Sequence, residues 1–138
     1  MIVLSDEMRL AIERALDDGC PVISSSVDAE GQPSLSFYGS TQVHSADQLA
    51  IWVRNPGGAF LRRIAANPHV AFLYRNPARR QLWQFHGRAR RVDDPEVRDA
   101  IFEGSHKLER DRDPDRLGVA VIIDLDRVLE RGAVLMER

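Results

Sequence analysis

A glycine pair at the start of a short helical stretch is the first place where the chemistry of this chain shows. Residues 49 to 72 read L-A-I-W-V-R-N-P-G-G-A-F-L-R-R-I-A-A-N-P-H-V-A-F. Asn55-Pro56-Gly57-Gly58 stands just before helical spacing at Phe60, Leu61, Ile64 and Ala65. The first N–H groups of a helix have no intrahelical partners, so such a start suits an anion, most simply a phosphate. Arg54, Arg62 and Arg63 flank it, and bidentate guanidinium groups match phosphate geometry. The plain alternatives are an ordinary strand-to-helix connection and, for Arg62 and Arg63, a solvated helix face. Among His44, His69, His86 and His106 no spacing resembles a metal triad, and no Cys-x-x-Cys exists, so no metal is expected. His86, beside Gln84 and Arg88 on a polar strand face, is the histidine best placed to touch a ligand. No Ser-His-Asp order or glycine-flanked serine stands out, and Ser24-Ser25-Ser26 is most simply strand filler.

The elements that must position these groups can be taken in chain order. Residues 5 to 18 have helical spacing, with Ser5 as N-cap, acidic Asp6 and Glu7 in the first turn, and Gly19 after the end. Pro21 to Val27 and Ser34 to Val43 are β segments joined by an acidic, glycine-containing turn. In the second segment Leu35, Phe37, Gly39, Thr41 and Val43 share one face, and Ser34, Ser36, Tyr38, Ser40 and Gln42 the other. The expectation is that the apolar face is buried and the hydroxyl face shown to water, a partner or a ligand. Gln48 to Arg54 is a third strand and Val70 to Arg75 a fourth, with the helix between them stopped by Asn67-Pro68. Gln81 to Val92 is a long strand with Trp83, Phe85, Gly87 and Ala89 on one face. Asp94-Pro95 opens a helix that Gly104 ends. The charge run Glu109 to Arg116 is expected to be a solvated loop. Gly118 to Leu125 and Val128 to Met136 are expected as two further strands.

A chain of 138 residues makes one domain, here 1–138, with a proper core. The 19 basic and 21 acidic residues nearly balance, which argues against a nucleic-acid or membrane-surface binder. The lone Cys20 excludes an internal disulfide and fits a reducing compartment. Without a signal-peptide pattern or a membrane-length apolar run, the expectation is a soluble cytoplasmic protein. Six or seven strands joined mostly by hairpin-length links, with three short helices, point to a mainly β fold: an antiparallel barrel with small α-helices.

The order of these elements resembles the pyridoxamine 5′-phosphate oxidase-like, FMN-binding split-barrel family. The residues that carry the resemblance are Gly31-Gln32-Pro33, Leu49-Ala50-Ile51-Trp52-Val53, Ile64-Ala65-Ala66-Asn67-Pro68-His69-Val70 and Gly87-Arg88-Ala89, across roughly Glu7 to Val128. The resemblance implies a homodimer with flavin in two clefts at the subunit interface. It implies flavin contacts at Ser36, Tyr38, Trp52, Val53, Arg54, Asn55, Gly58, Phe60 and Arg62. It adds Gln81 and Trp83, in the Gln81–Phe85 segment that a partner subunit would present. Trp52 and Trp83 equally suit the core, and Tyr38 equally suits the dimer interface.

FMN-binding oxidases of the family direct two strand cations and an Arg-Lys pair at the phosphate. Ungapped alignment puts Ser36, Thr41, Ala59 and Phe60 at those positions, and none is a cation. That departure leaves a deazaflavin open beside FMN. Three functions follow: an FMN-dependent oxidoreductase acting on a small molecule, a non-catalytic carrier of a flavin, deazaflavin or haem, or a dimer that has lost its cofactor. The absence of a catalytic constellation does not weigh against the first, because in flavin chemistry the cofactor carries the electrons. No activity on pyridoxamine phosphate is expected, since the tail Leu125 to Arg138 has no tryptophan or histidine.

Overall fold

A computed structural model describes the chain from Met1 to Arg138. Its centre is one antiparallel sheet built from β1 (Ile23–Val27), β2 (Pro33–Phe37), β3 (Gln42–Ser45), β4 (Gln48–Val53), β5 (His69–Asn76), β6 (Gln81–Val92), β7 (Val119–Glu130) and β8 (Ala133–Glu137). The hydrogen-bonded order is β2-β1-β5-β6-β7-β4-β3, and β8 adds to β7. The helices are α1 (Asp6–Glu13), α2 (Ala59–Ala66), α3 (Pro95–Gly104) and α4 (Lys107–Asp111). This is the expected antiparallel barrel with small helices, with eight strands. No helix is long and apolar enough to cross a membrane.

Both faces of β4 are covered, and its alternation explains how. Leu49, Ile51 and Val53 enter the main core with Phe72, Tyr74, Trp83, Phe85 and the inner face of β7. Ala50 and Trp52 turn the other way, into a second cluster with Ile101 and Phe102 of α3 and Ala120 and Ile122 of β7. Asp94 caps α3 as its position implies, accepting from Val97 N at 3.1 Å. Residues before α1 join the core as well: Ile2 and Leu4 are buried, and Leu4 N donates to Ala46 O.

Several expectations are corrected. The segment Ser34 to Val43 is not one strand, because β2 ends at Phe37 and the chain turns through Gly39-Ser40 before β3. Ser40 is buried there, exchanging hydrogen bonds with the backbone of Trp52. The two faces of β2 are also reversed. Leu35 and Phe37 are 73% and 65% exposed, while Ser34 and Ser36 turn inward beside the buried Ser24 and Ser26 of β1. The reason is α2, which lies against the serine face of β1 and bonds it through Arg63 Nε to Ser26 Oγ at 2.7 Å. Small hydroxyl side chains let that helix approach and give the guanidinium a partner.

The helix expected over residues 5 to 18 stops at Glu13 and continues as turns to Gly19. The run Glu109 to Arg116 is not wholly solvated: it starts within α4, and Asp113 is buried. Near the C-terminus the break expected around Leu125 to Val128 is absent, since β7 runs unbroken from Val119 to Glu130. Its polar residues stay in the strand because β6 answers them, Arg88 pairing with Asp126 and Arg90 with Asp124. The chain reverses later, at Arg131-Gly132, where both residues have positive φ.

Candidate functional site

Three segments enclose a cleft of about 790 Å³, within the size range of small-molecule sites. One wall is the end of β2 and the following turn, with Ser36, Phe37, Tyr38 and Gly39. The floor is the end of β4 and the link into α2: Trp52, Val53, Arg54, Asn55 and Gly58, then Phe60 and Arg63. The third wall comes from α4 and the residues after it, namely Glu109, Arg112, Asp113 and Leu117.

The link into α2 is organised by Asn55, whose side-chain oxygen accepts from Gly57 N at 3.0 Å and whose carbonyl accepts from Gly58 N at 3.1 Å. Gly58 is the N-cap and offers no side-chain acceptor, so the first N–H groups of α2 have no side-chain partner. Arg63 reaches the same cleft from the last turn of α2, held by Ser26. The Tyr38 and Phe60 rings pack at 5.0 Å, tilted by 59°. Arg54 Nε faces Glu109 Oε2 at 3.4 Å, across from floor to third wall.

The structure brings Ser36, Tyr38, Trp52, Val53, Arg54, Asn55, Gly58 and Phe60 into this one cleft. Arg62 does not line it. Its Nη1 turns back to Gly57 O at 2.7 Å, and the residue borders a smaller hollow beside Asp28 and Glu30. Gln81 and Trp83 also lie elsewhere, both buried within the protomer. Gln81 bonds Glu7 at 3.0 Å, and Trp83 stacks on Tyr74 at 5.6 Å. Of the positions where family oxidases carry cations, Ser36, Ala59 and Phe60 line the cleft. Thr41 is buried and gives its hydroxyl to Tyr38 O, while Phe60 is buried under Tyr38. Sequence reasoning missed Phe37, Glu109, Arg112, Asp113 and Leu117. Only Asp113-Pro114 with Gly118 close behind signalled an ordered turn there.

His86 belongs to a different hollow, of about 550 Å³, with His69, Asp126 and Glu137. Its Nδ1 accepts from Arg127 Nε at 2.9 Å, so Nε2 carries the proton and donates to Gln84 Oε1 at 3.1 Å. Burial, and then the Arg127 charge, push its pKa down. It is a neutral imidazole with both nitrogens engaged.

The tyrosines give a direct check on the cleft. Burial pushes Tyr38 up to about 12, with the Arg63 charge opposing. Burial also raises Tyr74, with the Asn76 hydrogen bond opposing. Unfolded tyrosines ionise near ~10. The fold therefore favours the neutral phenols, and that stability is intact below pH ~10 and lost as pH rises through the folded values. Spectrophotometric titration of the native protein is expected to show tyrosinate forming at higher pH than the ~10 of a free phenol. Tyr38→Phe should remove the component near 12. A normal step with one tyrosine's amplitude in the native protein would contradict the burial.

Comparison with known proteins adds to this geometry. Residues 10–128 match the family model described as pyridoxamine 5′-phosphate oxidase. No curated protein matches the chain. Among solved structures it is similar to HupZ of Group A Streptococcus, with 18% identity, a TM-score of 0.71, and 95% and 96% of the two chains covered. It is similar to a pyridoxamine 5′-phosphate oxidase-related, FMN-binding protein of Nostoc punctiforme, with 15% identity, a TM-score of 0.71, and coverage of 91% and 83%. An FMN-binding protein of Syntrophomonas wolfei shares 11% identity at a TM-score of 0.68, with coverage of 91% and 88%. These identities speak for the fold alone.

Proposed function

We propose, for a chain that belongs to the pyridoxamine 5′-phosphate oxidase family, that it is an FMN-dependent oxidoreductase acting on a small molecule in the cleft between β2, β4 and α4. The observation that carries this is the donor set of the cleft, which the uncapped start of α2, Arg63 and Ser36 all line. The partner of Arg63 is neutral Ser26, so its charge is not cancelled. Backbone N–H groups, one unneutralised arginine and a hydroxyl suit a phosphate monoester. The cations missing at Ser36, Thr41, Ala59 and Phe60 are thus answered by a different arginine, one helical turn along. Ser36 and the α2 amides would hold the phosphate, and Arg63 would neutralise it. Tyr38, packed on Phe60, and the edge of Trp52 would border the rest of the cofactor. Bound flavin supplies reversible two-electron transfer. The protein supplies placement and exclusion of water.

The same reading takes the protein as a cytoplasmic homodimer whose partner closes the cleft, supported by the exposed Phe37 and Leu117 at its lining. Size-exclusion chromatography with light scattering tests it, and a monomer at high concentration would sink it.

Titration with FMN, followed by flavin fluorescence, is expected to give a Kd of ~1 μM or tighter, about −8 kcal/mol. Arg63→Ala should weaken FMN by roughly 10- to 100-fold, the worth of a charge-assisted hydrogen bond. It should leave riboflavin, which lacks the phosphate, nearly unchanged. Equal losses for both ligands would remove Arg63 from the phosphate, and no FMN binding would remove the function.

A carrier without catalysis is favoured by one observation: the carboxylates of the cleft are engaged, Glu109 by Arg54 and Asp113 by Trp52 and two amides. Oxidation of NAD(P)H by the FMN-loaded protein would decide for the enzyme.

A further inference from the structure

We propose that the α4 wall seats the substrate, and that Arg112 binds the carboxylate of a monoanionic small molecule whose apolar body lies on Leu117 and Phe37. This rests on the assignment of Arg63 and the α2 start to the flavin phosphate.

The guanidinium groups of the cleft differ in what holds them. Arg54 faces Glu109, and Arg63 bonds Ser26. Arg112, at the C-cap of α4, gives its backbone N–H to Glu109 O, while its side chain lines the cleft with no hydrogen bond or ion pair. It is an exposed positive charge without a partner, on the wall that α4 supplies. Its surroundings select the anion. Glu109 lies one helical turn before it, with its side chain only 14% exposed, and Asp113 follows directly. With Glu109 already balanced by Arg54, Arg112 is the one unpaired charge on this wall and Asp113 stands beside it, so a phosphate dianion would bring more negative charge than the wall can offset. A carboxylate brings a single charge, and its two oxygens match the guanidinium fork.

The remainder of the ligand is set by apolar surface. Leu117 is 69% exposed and Phe37 65% exposed, and both line the cleft. Neither is accounted for by packing within the protomer. Together with Arg112 they describe a small aromatic or aliphatic carboxylate.

The test uses benzoate, benzamide and phenyl phosphate as probes. Each is titrated into the FMN-loaded protein, read by flavin absorbance, and into the flavin-free protein, read by tryptophan fluorescence, because Trp52 borders the cleft. Benzoate is expected to saturate, with benzamide at least ~10-fold weaker in both forms and phenyl phosphate at least ~10-fold weaker in the FMN-loaded protein. Arg112→Gln should weaken benzoate by on the order of tenfold with FMN affinity unchanged, and Arg112→Lys should restore part of it. Benzamide binding as tightly as benzoate, phenyl phosphate binding more tightly to the FMN-loaded protein, whose phosphate site is filled, or Arg112→Gln without effect would each overturn the proposal. FMN binding with no benzoate response by either reading overturns it and leaves the flavin assignment standing. Arg112-dependent benzoate binding without FMN binding does the reverse, and no response to any probe or to FMN overturns both.

Discussion

Replacing Asp113 by alanine is expected to cost about 3 kcal/mol of stability, lowering the melting temperature by on the order of 10 °C for a domain of this size. Asp113 is 7% exposed and accepts three hydrogen bonds. They come from Trp52 Nε1 at 2.8 Å and from Leu117 N and Gly118 N at 2.9 Å. Removing the carboxylate leaves the indole and the Gly118 amide buried without an acceptor, at about 1–3 kcal/mol for each such group. Nothing nearby offers a replacement. Arg98 stands over the Trp52 ring at 4.8 Å, but it is itself a donor, to Gly118 O at 3.0 Å.

The same site gives a pH signature. Burial alone would raise the Asp113 pKa. The Trp52 indole, the two amides and the Arg98 charge outweigh it, so the carboxyl titrates below its ordinary value. A folded pKa below the unfolded one means stability that is present above the usual carboxylate range and lost as pH falls through the folded value. Asp113→Asn should therefore be less stable than the native protein at neutral pH, with a shallower loss toward acid. Denaturant unfolding at neutral pH and at pH ~3 checks both. Asp113→Ala within ~0.5 kcal/mol of the native protein would show that the carboxylate carries no such load. Because Asp113 pins the segment that carries Arg112 and Leu117, the substitution should also loosen the third wall of the cleft.

That wall shows where sequence reading stops. The barrel was legible because alternation in Leu49 to Val53 and Gln81 to Ala89, and the caps at Ser5 and Asp94, are local signals that tertiary packing obeyed. The floor of the cleft was legible for the same reason, since a strand, a glycine pair and a helix in succession fix their own geometry. The reversed face of β2 was not legible. Leu35 and Phe37 carry the apolar pattern of a buried face, but α2 chose the serine side of the hairpin. Asp113 was hidden by its neighbours. In a run of alternating charges nothing local distinguishes the carboxylate that meets a tryptophan 61 residues earlier in the chain. Asp124 and Asp126 misled in the opposite direction, looking like a turn until the arginines of β6 are placed beside them.

Gly87→Ala is expected to destabilise by about 3 kcal/mol, at the upper end for overpacking. A methyl group there would lie inside contact distance of Asp124 O, and only 2.9 Å from Ile123 Cγ2. The obstacle is backbone, and it cannot swing aside. β6 and β7 pair along most of their lengths, and their register shifts between His86 and Gly87, where Asp126 of β7 has no opposite residue. Relief would require moving Asp124, whose side chain holds Gln48 of β4 at 2.8 Å and Arg90 of β6 at 2.7 Å. Arg90 first, with Gln48 behind it and burial opposing, keeps the Asp124 carboxyl below its ordinary pKa, so it stays charged and anchored at neutral pH. Gly39 makes the control. A methyl at Gly39 would meet the end of the Glu109 side chain and Leu16 Cδ1, groups with rotamers to spare. Gly39→Ala should cost less than half as much, while displacing Glu109 from Arg54. Urea unfolding of the two variants side by side is the measurement. Equal costs, or Gly87→Ala within ~0.5 kcal/mol of the native protein, would show that β7 can give way and that the close approach is not a fixed feature of the barrel.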